Sequence, residues 1–597
     1  MMRVLVKDDI FVILQLLGIM TKSFFFVYLA IHMTYSLTPF HLVDVLKSLP
    51  LHFSIYLTFL SFVFLTKRKI YMAFFLNVIV SIILLMDLVY LRCFGVPTSF
   101  FSLKMIAYMG DVSDAVFDLY HGVYFLFFGD VIFWSLLLLI FRKSYSKTAI
   151  QGWKFFTYLT IAVVTGYAAY PEGLVQKVLS IKHRPIFAIQ KVSPIGYHMF
   201  DSYEFFRSSQ AIAFSDHDRK EVDQWFSQNR EINKRLATDE RLYKGIFQGK
   251  NVIFVHFESL ENGVINQRIH GQEITPHLNR LLAHSFYFPR IKEQVGEGNS
   301  ADAEFTVFNS LYPLPQGIIS LRYPSNRYFA FPKELAVNGY ETAAFLGMKA
   351  GFMNMAIVLP NYGFQKIFSL PFYQSNEKIG LGIPDQDMFD QSIPYIKSLK
   401  SPFFAYMITL TNHVPYKLPP HMRTLTTAPR MKNDSVFRYI QSVHYADQAL
   451  GSFIEGLRKE RLLDHTILVI YGDHQGVNKY YAKDVQKSGH SWLKKNDKNL
   501  PLLIYHPSLK GVMLNQMGGQ IDILPTVHHL LGLPQDPRAA YRAGRNLFSS
   551  SKGFAVLRNQ RYVSDDISDG GIRHHRQKGI EISTKVIQGN FFRDPNF

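Results

Sequence analysis

Hydrophobic residues are concentrated in long runs over the first 170 residues of this 597-residue chain. A membrane-spanning helix needs about 20 predominantly apolar residues, and these runs approach or reach that length. A cleaved signal peptide is the alternative interpretation of the first run, but the later runs favour an uncleaved membrane domain over residues 1–171. We therefore predict five transmembrane helices, at Phe11–His32, Leu51–Leu65, Ile70–Leu91, Val123–Phe141 and Phe155–Tyr170.

Basic residues in the connections between these runs predict the orientation of the membrane domain. They precede the first run and fill the second-to-third and fourth-to-fifth connections, whereas residues 33–50 and 93–121 contain fewer of them. Because Lys and Arg are retained on the cytoplasmic side, the amino terminus is expected in the cytoplasm. An odd number of spans then places the rest of the chain outside, so we expect a multi-pass cell-membrane protein with an extracytoplasmic domain.

Two acidic residues, Asp87 and Asp130, lie in or near the predicted spans, where a charge is costly and often functional. A simple ion pair between Asp87 and Arg92 would account for the first of them. The sequence assigns no role to Asp130.

From Asn251 onward, short apolar segments alternate with segments of helical character. The predicted strands are Val252–Phe257, Thr342–Leu346, Phe403–Leu410, Ile467–Tyr471 and Leu502–Tyr505, and the predicted helices include Pro276–His284, Phe437–Glu460 and Asp522–Leu531. Such alternation is typical of an α/β domain with a mostly parallel sheet covered on both faces. We place this domain at residues 251–550, after a linker with helical segments at 172–250 and before a basic C-terminal tail at 551–597.

The linker contains one segment with a helical pattern, Asp216–Leu236, in which Val222, Trp225 and Phe226 can face one side. Upstream of it, Ala211–Ala213 fits the small-x-small pattern of a signal-peptidase site. Cleavage near Ala213 is a hypothesis, since chance matches of this kind are common.

The formal net charge of +18 raises the question of nucleic-acid binding. No basic block with interleaved aromatic residues is present, and part of the excess lies in the membrane connections, so no nucleic-acid partner is predicted. A surface that attracts anionic lipid headgroups fits this charge better. Cys93 is the only cysteine and lies beside a predicted span, so the external domain has no internal disulfide.

Polar side chains follow two of the predicted strands at the point where each one ends. Asp473 and His474 come after one apolar strand, and Glu258 comes after another. Ligands of α/β domains bind beyond the carboxyl ends of the strands, and carboxylates and imidazoles commonly bind divalent metals. The glycine-rich segment 296–304 offers one hydroxyl, that of Ser300, which a metal would convert to an alkoxide nucleophile. A solvated turn and a flexible surface loop are the alternatives, but the three features together favour a catalytic metal site.

A further polar segment, Thr409–Tyr416, follows another apolar strand and should bring Asn412 and His413 into the same cleft. His413 could hydrogen-bond a phosphoryl oxygen or protonate a leaving group. The alternative is a loop histidine that is satisfied by backbone groups. We expect most of the other histidines to be structural or surface residues, among them His256, His277 and His444. His490 is the exception.

The order of these segments resembles the lipoteichoic acid synthase family, membrane-anchored phosphoglycerol transferases of the alkaline phosphatase and sulfatase superfamily. The resemblance implies a sulfatase-like domain with one metal, usually manganese, with magnesium and zinc as alternatives. The implied ligands are Glu258, Ser300, Asp473 and His474, and Ser300 replaces the usual threonine nucleophile while keeping the hydroxyl. The matching segments are Val252–Ser259, Gly296–Glu304, Asn309–Tyr312, Thr409–Tyr416, Tyr471–Gly476 and Gly519–Thr526.

One departure from the family pattern affects the substrate. The family clasps glycerol phosphate with a tryptophan and an arginine within a Phe-Trp-Asn-Arg run, and both become methionine here, at Met353 and Met355. Loss of the arginine removes a bidentate phosphate contact that a thioether cannot make. Asn354 is kept and, with Asn412 and His413, is a predicted substrate-binding residue. Lys349 is one candidate for the missing positive charge.

The resemblance implies that Ser300 attacks a phosphatidylglycerol-like lipid, expels diacylglycerol and passes glycerol phosphate to a polymer or glycan acceptor. A phosphoethanolamine transferase acting on a glycolipid is the nearest alternative, although those relatives tend to carry disulfides. A sulfatase is disfavoured, because Ser300 is followed by Ala-Asp-Ala-Glu and not by x-Pro-x-Arg. A non-catalytic membrane scaffold agrees with the loss of the clasp and disagrees with the retained metal ligands.

Overall fold

The computed structural model describes residues 8–34, 42–140, 149–169, 185–209, 214–426, 434–549, 553–565 and 570–593. The chain forms two compact units. The first comprises residues 1–103 and 119–211, and the second comprises residues 104–118 and 212–597. The second unit therefore includes a short segment that lies, in sequence, between two of the predicted spans. Ala213, the predicted cleavage position, lies outside the described residues.

The amino-terminal part of the chain is helical. Within the described residues, four helical stretches are long and apolar enough to cross a membrane, and they correspond to the first four predicted spans: Asp9–Met33, Leu46–Leu65, Lys69–Phe94 and Gly122–Ile140. The fifth prediction falls on a helix of 17 residues. At 1.5 Å per residue that helix is about 25 Å long, so the predicted count of five is approximate. The helices are α1 (Asp8–Thr34), α2 (Leu42–Ser61), α3 (Lys69–Phe94), α4 (Met109–Asp118, in the second unit), α5 (Gly129–Ile140), α6 (Gly152–Ala168) and α7 (Pro185–Ser209).

The two acids in the predicted spans have basic partners inside the first unit. Asp130 accepts hydrogen bonds from Lys22 Nζ at 3.0 Å and from the amide of Asn77 at 2.9 Å. Asp87 lies 2.9 Å from His198 Nε2, so the predicted pair with Arg92 is wrong. Residues five apart on a helix point in different directions, which is why α3 does not bring Asp87 and Arg92 together.

The second unit is built on a nine-stranded, mostly parallel sheet. The strand order is β10-β4-β9-β8-β1-β7-β5-β6, with β11 paired to β4, and β9 runs antiparallel to both of its neighbours. The strands of the sheet are β1 (Asn251–Phe257), β4 (Ser285–Lys292), β5 (Glu341–Leu346), β6 (Lys366–Phe368), β7 (Phe403–Ile408), β8 (Thr466–Gly472), β9 (Asn499–Tyr505), β10 (Val512–Met513) and β11 (Gly518–Gly519), and two short hairpins are formed by β2 (Arg268–Ile269) with β3 (Gln272–Glu273) and by β12 (Phe554–Val556) with β13 (Tyr562–Ser564).

The five strands predicted from the sequence are all present; β6, β10 and β11 are short additions, and β4 is a longer one. Its pairing with β9 shifts register between Phe288 and Ile291, on either side of Pro289. A proline inside a strand removes a donor from the ladder and disguises the strand in the sequence. The α/β class with a mostly parallel sheet is confirmed.

The register of the central strands fixes where the candidate ligands emerge. Every residue of β1 and of β8 is buried, as expected for parallel strands covered on both faces. Phe257 pairs with Gly472, so the residues that follow, Glu258 and Asp473, leave the sheet side by side. Ile408, the last residue of β7, pairs with His256 on the other side of β1. The sheet thus delivers three loops to one edge.

Helices of the second unit surround this sheet, and the predicted helices near residues 276, 437 and 522 are present within a few residues of their expected bounds. The helices are α8 (Asp216–Leu236), α9 (Pro276–Leu281), α10 (Ser300–Asn309), α11 (Ile319–Arg322), α12 (Phe331–Val337), α13 (Met355–Tyr362), α14 (Asp385–Lys397), α15 (Ser435–Lys459), α16 (Val477–Tyr480), α17 (Ala482–Lys487), α18 (Ile523–Leu531) and α19 (Gly570–Gln588).

The residues after 552 form structure that the sequence left unassigned. Helix α19 packs against the linker helix α8, and the ring of Trp225 stacks on His575 with centroids 4.9 Å apart. The Trp225 indole also donates to the backbone oxygen of His575 at 3.0 Å. A Cβ added at Gly579 would lie 2.9 Å from the Trp225 ring, so glycine is required for this close approach. The linker and the carboxyl-terminal helix therefore stabilise each other.

Trp225→Ala should lower the stability of the second unit, because Trp225 is only 4% exposed and fills the space between α8 and α19. A buried Trp→Ala substitution costs about 3–5 kcal/mol in the free energy of unfolding. Thermal and denaturant unfolding of the purified full chain, followed by circular dichroism, would measure it. Met513→Ala is the control, because Met513 is 61% exposed and should leave the melting temperature unchanged. Equal melting temperatures for the two variants would contradict the assignment.

Candidate active site

The four residues predicted as metal ligands lie together at the edge of the sheet. The Ser300 hydroxyl donates to Glu258 Oε2 at 2.9 Å and lies 3.4 Å from His474 Nε2. His474 Nε2 is 3.3 Å from Glu258 Oε1 and 3.5 Å from Asp473 Oδ2. Single ligand atoms of Glu258, Asp473 and His474 all lie within 4.8 Å of one another, and the three side chains are buried.

The electrostatics of this cluster favour a bound cation. Burial lowers the pKa of His474, but the carboxylates of Asp473 and Glu258 outweigh it and raise that pKa to about 9. Burial alone would raise the pKa of Asp473, but His474 and His256 hold it well below its usual range. The site therefore attracts positive charge. Two carboxylates, an imidazole and a hydroxyl are donors that suit Mn²⁺, Mg²⁺ or Zn²⁺, so the residues present fit a divalent metal.

Asp473 is held in place by several donors. The backbone N–H groups of Ser259 and His474 both donate to Asp473 Oδ1 at 2.7 Å. The other oxygen, Oδ2, accepts from His256 Nε2 at 3.0 Å, and Nδ1 of that ring accepts from the Tyr406 hydroxyl at 2.8 Å. His256 is fully buried and so has a specific role, the orientation of a candidate ligand, which the sequence analysis missed. The pairing of β1 with the strand that ends at Asp473 is visible only in the fold, so the sequence held no signal for this role.

Ser300 is presented by a rigid turn at the start of α10. The backbone N–H groups of Gly296 and Gly298 donate to Asp302 Oδ2 at 2.8 and 3.0 Å, and a Cβ at Gly298 would collide with the Asp302 carboxylate. Asn299 has a positive φ of 45°, which ends the turn. Ser300 is the first of 10 residues in the helix, and the positive end of a helix dipole favours a phosphate there.

Two of the predicted substrate-binding residues, Asn412 and His413, differ in how many of their polar atoms are hydrogen-bonded within the protein. Asn412 is fully buried, donates to the backbone oxygen of Glu258 at 2.8 Å and accepts from Ser442, so both ends of its amide make protein contacts. His413 is half-buried, and its Nδ1 lies 2.8 Å from the Val414 oxygen. Its Nε2 makes no hydrogen bond to the described part of the chain. Of the two, His413 is the residue with a free functional atom.

Similarity to known proteins identifies the family of this chain. The family model for the lipoteichoic acid synthase N-terminal domain matches residues 1–214, and the sulfatase model matches residues 250–533. Lipoteichoic acid synthase from Staphylococcus aureus (strain NCTC 8325 / PS 47) is 28% identical over 573 residues, 89% of this chain and 87% of that protein. The chain belongs to the lipoteichoic acid synthase family. It is therefore a membrane-anchored member of the sulfatase superfamily, as its sequence segments indicated.

A solved structure from the same family agrees with the fold of the second unit. The crystal structure of the lipoteichoic acid synthase LtaP from Listeria monocytogenes is 25% identical and superimposes with a TM-score of 0.53. The match covers 59% of this chain and 95% of that chain. The sulfatase-like α/β architecture of this lipoteichoic acid synthase relative is thus shown by sequence and by structure.

The segment that replaces the family's clasp is turned into the protein. Met353 is 7% exposed and Met355 is 4% exposed, and Met355 belongs to the hydrophobic core. Asn354 donates its amide to the Ser320 backbone oxygen at 3.0 Å. Lys349, the residue considered as a replacement charge, is exposed. In this member of the lipoteichoic acid synthase family, the two methionines at the positions that the resemblance gives to the clasp are therefore buried.

The segment Lys104–Asp118, here called the strap, packs on the second unit beside the same region. The Tyr108 ring makes an edge contact with Phe352, with centroids 5.5 Å apart. At the other end, Asp118 accepts from Arg438 Nη2 at 2.9 Å and from the Tyr481 hydroxyl at 2.7 Å, and it pairs with Lys417 Nζ at 2.9 Å. Burial raises the pKa of Asp118, but these three donors together hold it below its usual range. Sequence reasoning had no local signal for these contacts.

His256→Ala should weaken binding of a divalent metal, because Asp473 would lose the partner of its Oδ2 atom. Removal of such an outer hydrogen bond typically costs about 10- to 100-fold in metal affinity. Calorimetric titration of the full chain with Mn²⁺ would measure it. His444→Ala is the control, since His444 contacts the Ile274 backbone oxygen and no candidate ligand. A His256→Ala protein with undiminished affinity would show that His256 does not orient a ligand.

Asp118→Asn should loosen the strap. The substitution removes the charge that Lys417 and Arg438 share, and hydrogen bonds to charged groups are each worth about 1.5–3 kcal/mol. Backbone hydrogen exchange over residues 104–118 should rise by about tenfold or more, measured by mass spectrometry on the full chain. Asp216→Asn, at the exposed start of α8, is the control. Unchanged exchange in the strap would mean that Asp118 does not anchor it.

Proposed function

We propose that this chain is a phosphoglycerol transferase that moves glycerol phosphate from a phosphatidylglycerol-like lipid to a polymer or glycan acceptor. The observation that carries the proposal is the placement of the Ser300 hydroxyl, 2.9 Å from Glu258 and 3.4 Å from His474, at the start of a helix. A hydroxyl in that position can attack phosphorus. The lipoteichoic acid synthases among its relatives support the choice of glycerol phosphate as the transferred group.

A divalent metal is part of the proposal. Glu258, Ser300, Asp473 and His474 would hold it, with manganese as the first candidate and magnesium or zinc as alternatives. Once bound, the metal would favour the ionised hydroxyl and neutralise negative charge on the phosphoryl oxygens. The buried pair of carboxylates supports the proposal, because two like charges in one cleft need a cation nearby.

The bond-forming and proton-transfer steps are assigned to residues of the protein. The ionised Ser300 Oγ forms a bond to phosphorus while the bond from phosphorus to the diacylglycerol oxygen breaks, which leaves a phosphoglyceryl-Ser300 ester. We assign His413 Nε2 as the donor of the proton that the leaving oxygen takes up. An acceptor hydroxyl then gives its proton to the same nitrogen and attacks phosphorus, so that Ser300 is released. Asn412 and Asn354 are proposed to shape the substrate side of the cleft.

The membrane helices fit this reaction, because both the lipid donor and the diacylglycerol product stay in the bilayer. We propose a multi-pass protein of the cell membrane with a cytoplasmic amino terminus, following the distribution of basic residues. The catalytic unit would then act outside the cytoplasm, with a lipid and a polymer or glycan as its partners and no nucleic acid.

A different headgroup is the second candidate, and one observation favours it. Met353 and Met355 are buried where the family has its glycerol phosphate clasp, so a phosphoethanolamine or another small headgroup is an alternative donor group. A non-catalytic scaffold is also consistent with that loss. The intact cluster around Ser300 favours an enzyme over a scaffold.

Ser300→Ala should abolish release of diacylglycerol from fluorescently labelled phosphatidylglycerol. The full chain with Mn²⁺ is required, because the strap belongs to the catalytic unit and is missing from a fragment that begins near residue 215. Loss of a nucleophile lowers turnover by about a thousandfold or more. Ser300→Thr keeps a hydroxyl and should retain activity. Near-normal release by Ser300→Ala would contradict the mechanism, and no release by the natural chain would favour another headgroup.

Removal of the metal should have the same effect without any substitution. Treatment of the full chain with EDTA should stop release of diacylglycerol, and added Mn²⁺ should restore it, because without a divalent cation the phosphoryl oxygens would face the carboxylates of Glu258 and Asp473. Asp473→Asn should bind Mn²⁺ more weakly and lose activity together. Full activity in EDTA would contradict metal dependence.

A further inference from the structure

A lysine lies next to the candidate nucleophile without being part of the metal cluster. Lys479 is in α16, five residues after His474, and its Nζ donates to the side-chain oxygen of Asn299. Asn299 is the residue immediately before Ser300, and its amide nitrogen in turn donates to the Tyr480 hydroxyl at 3.3 Å. The ammonium group is thus fixed one residue away from the attacking hydroxyl.

In the described part of the chain, no carboxylate forms a direct ion pair with Lys479, although Glu293 lies near enough to act on its charge. Nearby cations have partners: Lys498 pairs with Glu293 at 3.5 Å, and Arg558 donates to the Pro315 oxygen at 2.9 Å. In the described part of the chain, Lys479 makes one hydrogen bond, to Asn299, and otherwise lies 5.9 Å from the Tyr480 ring. An ammonium group has three donors, so two are available for a ligand.

The lost clasp explains why such a cation would be needed. A phosphodiester that reacts at Ser300 carries negative charge, and the position where the family places its arginine is Met355, buried in the core. Lys349 is exposed and has no contact with Asn299 in the described part of the chain, whereas Lys479 contacts Asn299 directly. A half-buried cation that contacts no carboxylate directly is stabilised when an anion binds beside it.

We propose that Lys479 binds the phosphate oxygens of the transferred group and takes over the role that an arginine has in the family pattern. The proposal rests on the reaction assigned to Ser300. A lysine offers a point charge rather than the planar fork of a guanidinium, so recognition here depends on the phosphate charge more than on bidentate geometry.

Binding of glycerol phosphate to the Mn²⁺-loaded full chain, measured by isothermal titration calorimetry, tests the proposal without turnover. Lys479→Met should weaken the affinity by about tenfold or more, as expected for loss of one charge-assisted hydrogen bond. Lys479→Gln, which keeps a donor for Asn299 but carries no charge, should behave in the same way, and Lys479→Arg should bind within a few-fold of the natural chain. Lys349→Met is the matched control and should bind normally.

The Mn²⁺ affinity of each variant shows whether the metal ligands are intact, and it should be unchanged. Undiminished binding of glycerol phosphate by Lys479→Met and Lys479→Gln, or loss of binding in Lys349→Met instead, would overturn the proposal. If the affinity for glycerol phosphate depends on Lys479 but the natural chain releases no diacylglycerol, the phosphate site is supported and the transferase reaction is refuted. If release of diacylglycerol depends on Ser300 but not on Lys479, and the Lys479 variants also bind glycerol phosphate normally, the inference about Lys479 alone is refuted.

Discussion

The candidate site depends on holding the carboxylates of Glu258 and Asp473 side by side in a buried position. Burial of like charges is unfavourable unless donors and cations compensate it. The parallel register of β1 and β8 forces the two groups together, and backbone N–H groups, His256 and His474 offset part of the cost. A divalent cation would supply the rest. The cation that offsets the two carboxylates would also favour ionisation of the Ser300 hydroxyl, so metal binding and activation of the nucleophile would depend on the same positive charge.

The catalytic unit is also discontinuous in sequence. Its strap comes from between two of the predicted spans, and Asp118 is tied to Arg438 across 320 residues of chain. Beside the strap, whose Tyr108 contacts Phe352 and whose Asp118 pairs with Lys417, the family's tryptophan and arginine are replaced by buried methionines. The cluster proposed to carry the reaction is thus intact, while the segment at the position of the family's clasp is rearranged.

Much of this could be predicted from sequence because the signals are local. An apolar segment followed at once by Asp473 and His474, or by Glu258, predicts both a buried strand and the candidate metal ligand at its end, within about ten residues. His256 could not be identified in that way, since a histidine inside a buried strand gives no pattern until the neighbouring strand is known. Lys479 contacts Asn299 across 180 residues, and β4 is disguised by Pro289. Long-range contacts need the folded structure.

The central claim is that Ser300 carries the transferred group during the reaction. Peptide mass spectrometry of the full chain, quenched during turnover of phosphatidylglycerol with Mn²⁺, tests it most directly. The account predicts one phosphoglyceryl group on the peptide that contains Ser300, absent from the Ser300→Ala protein and removed when an acceptor hydroxyl is supplied. An unmodified Ser300 in a protein that is releasing diacylglycerol, with the group on another residue or on none, would contradict it.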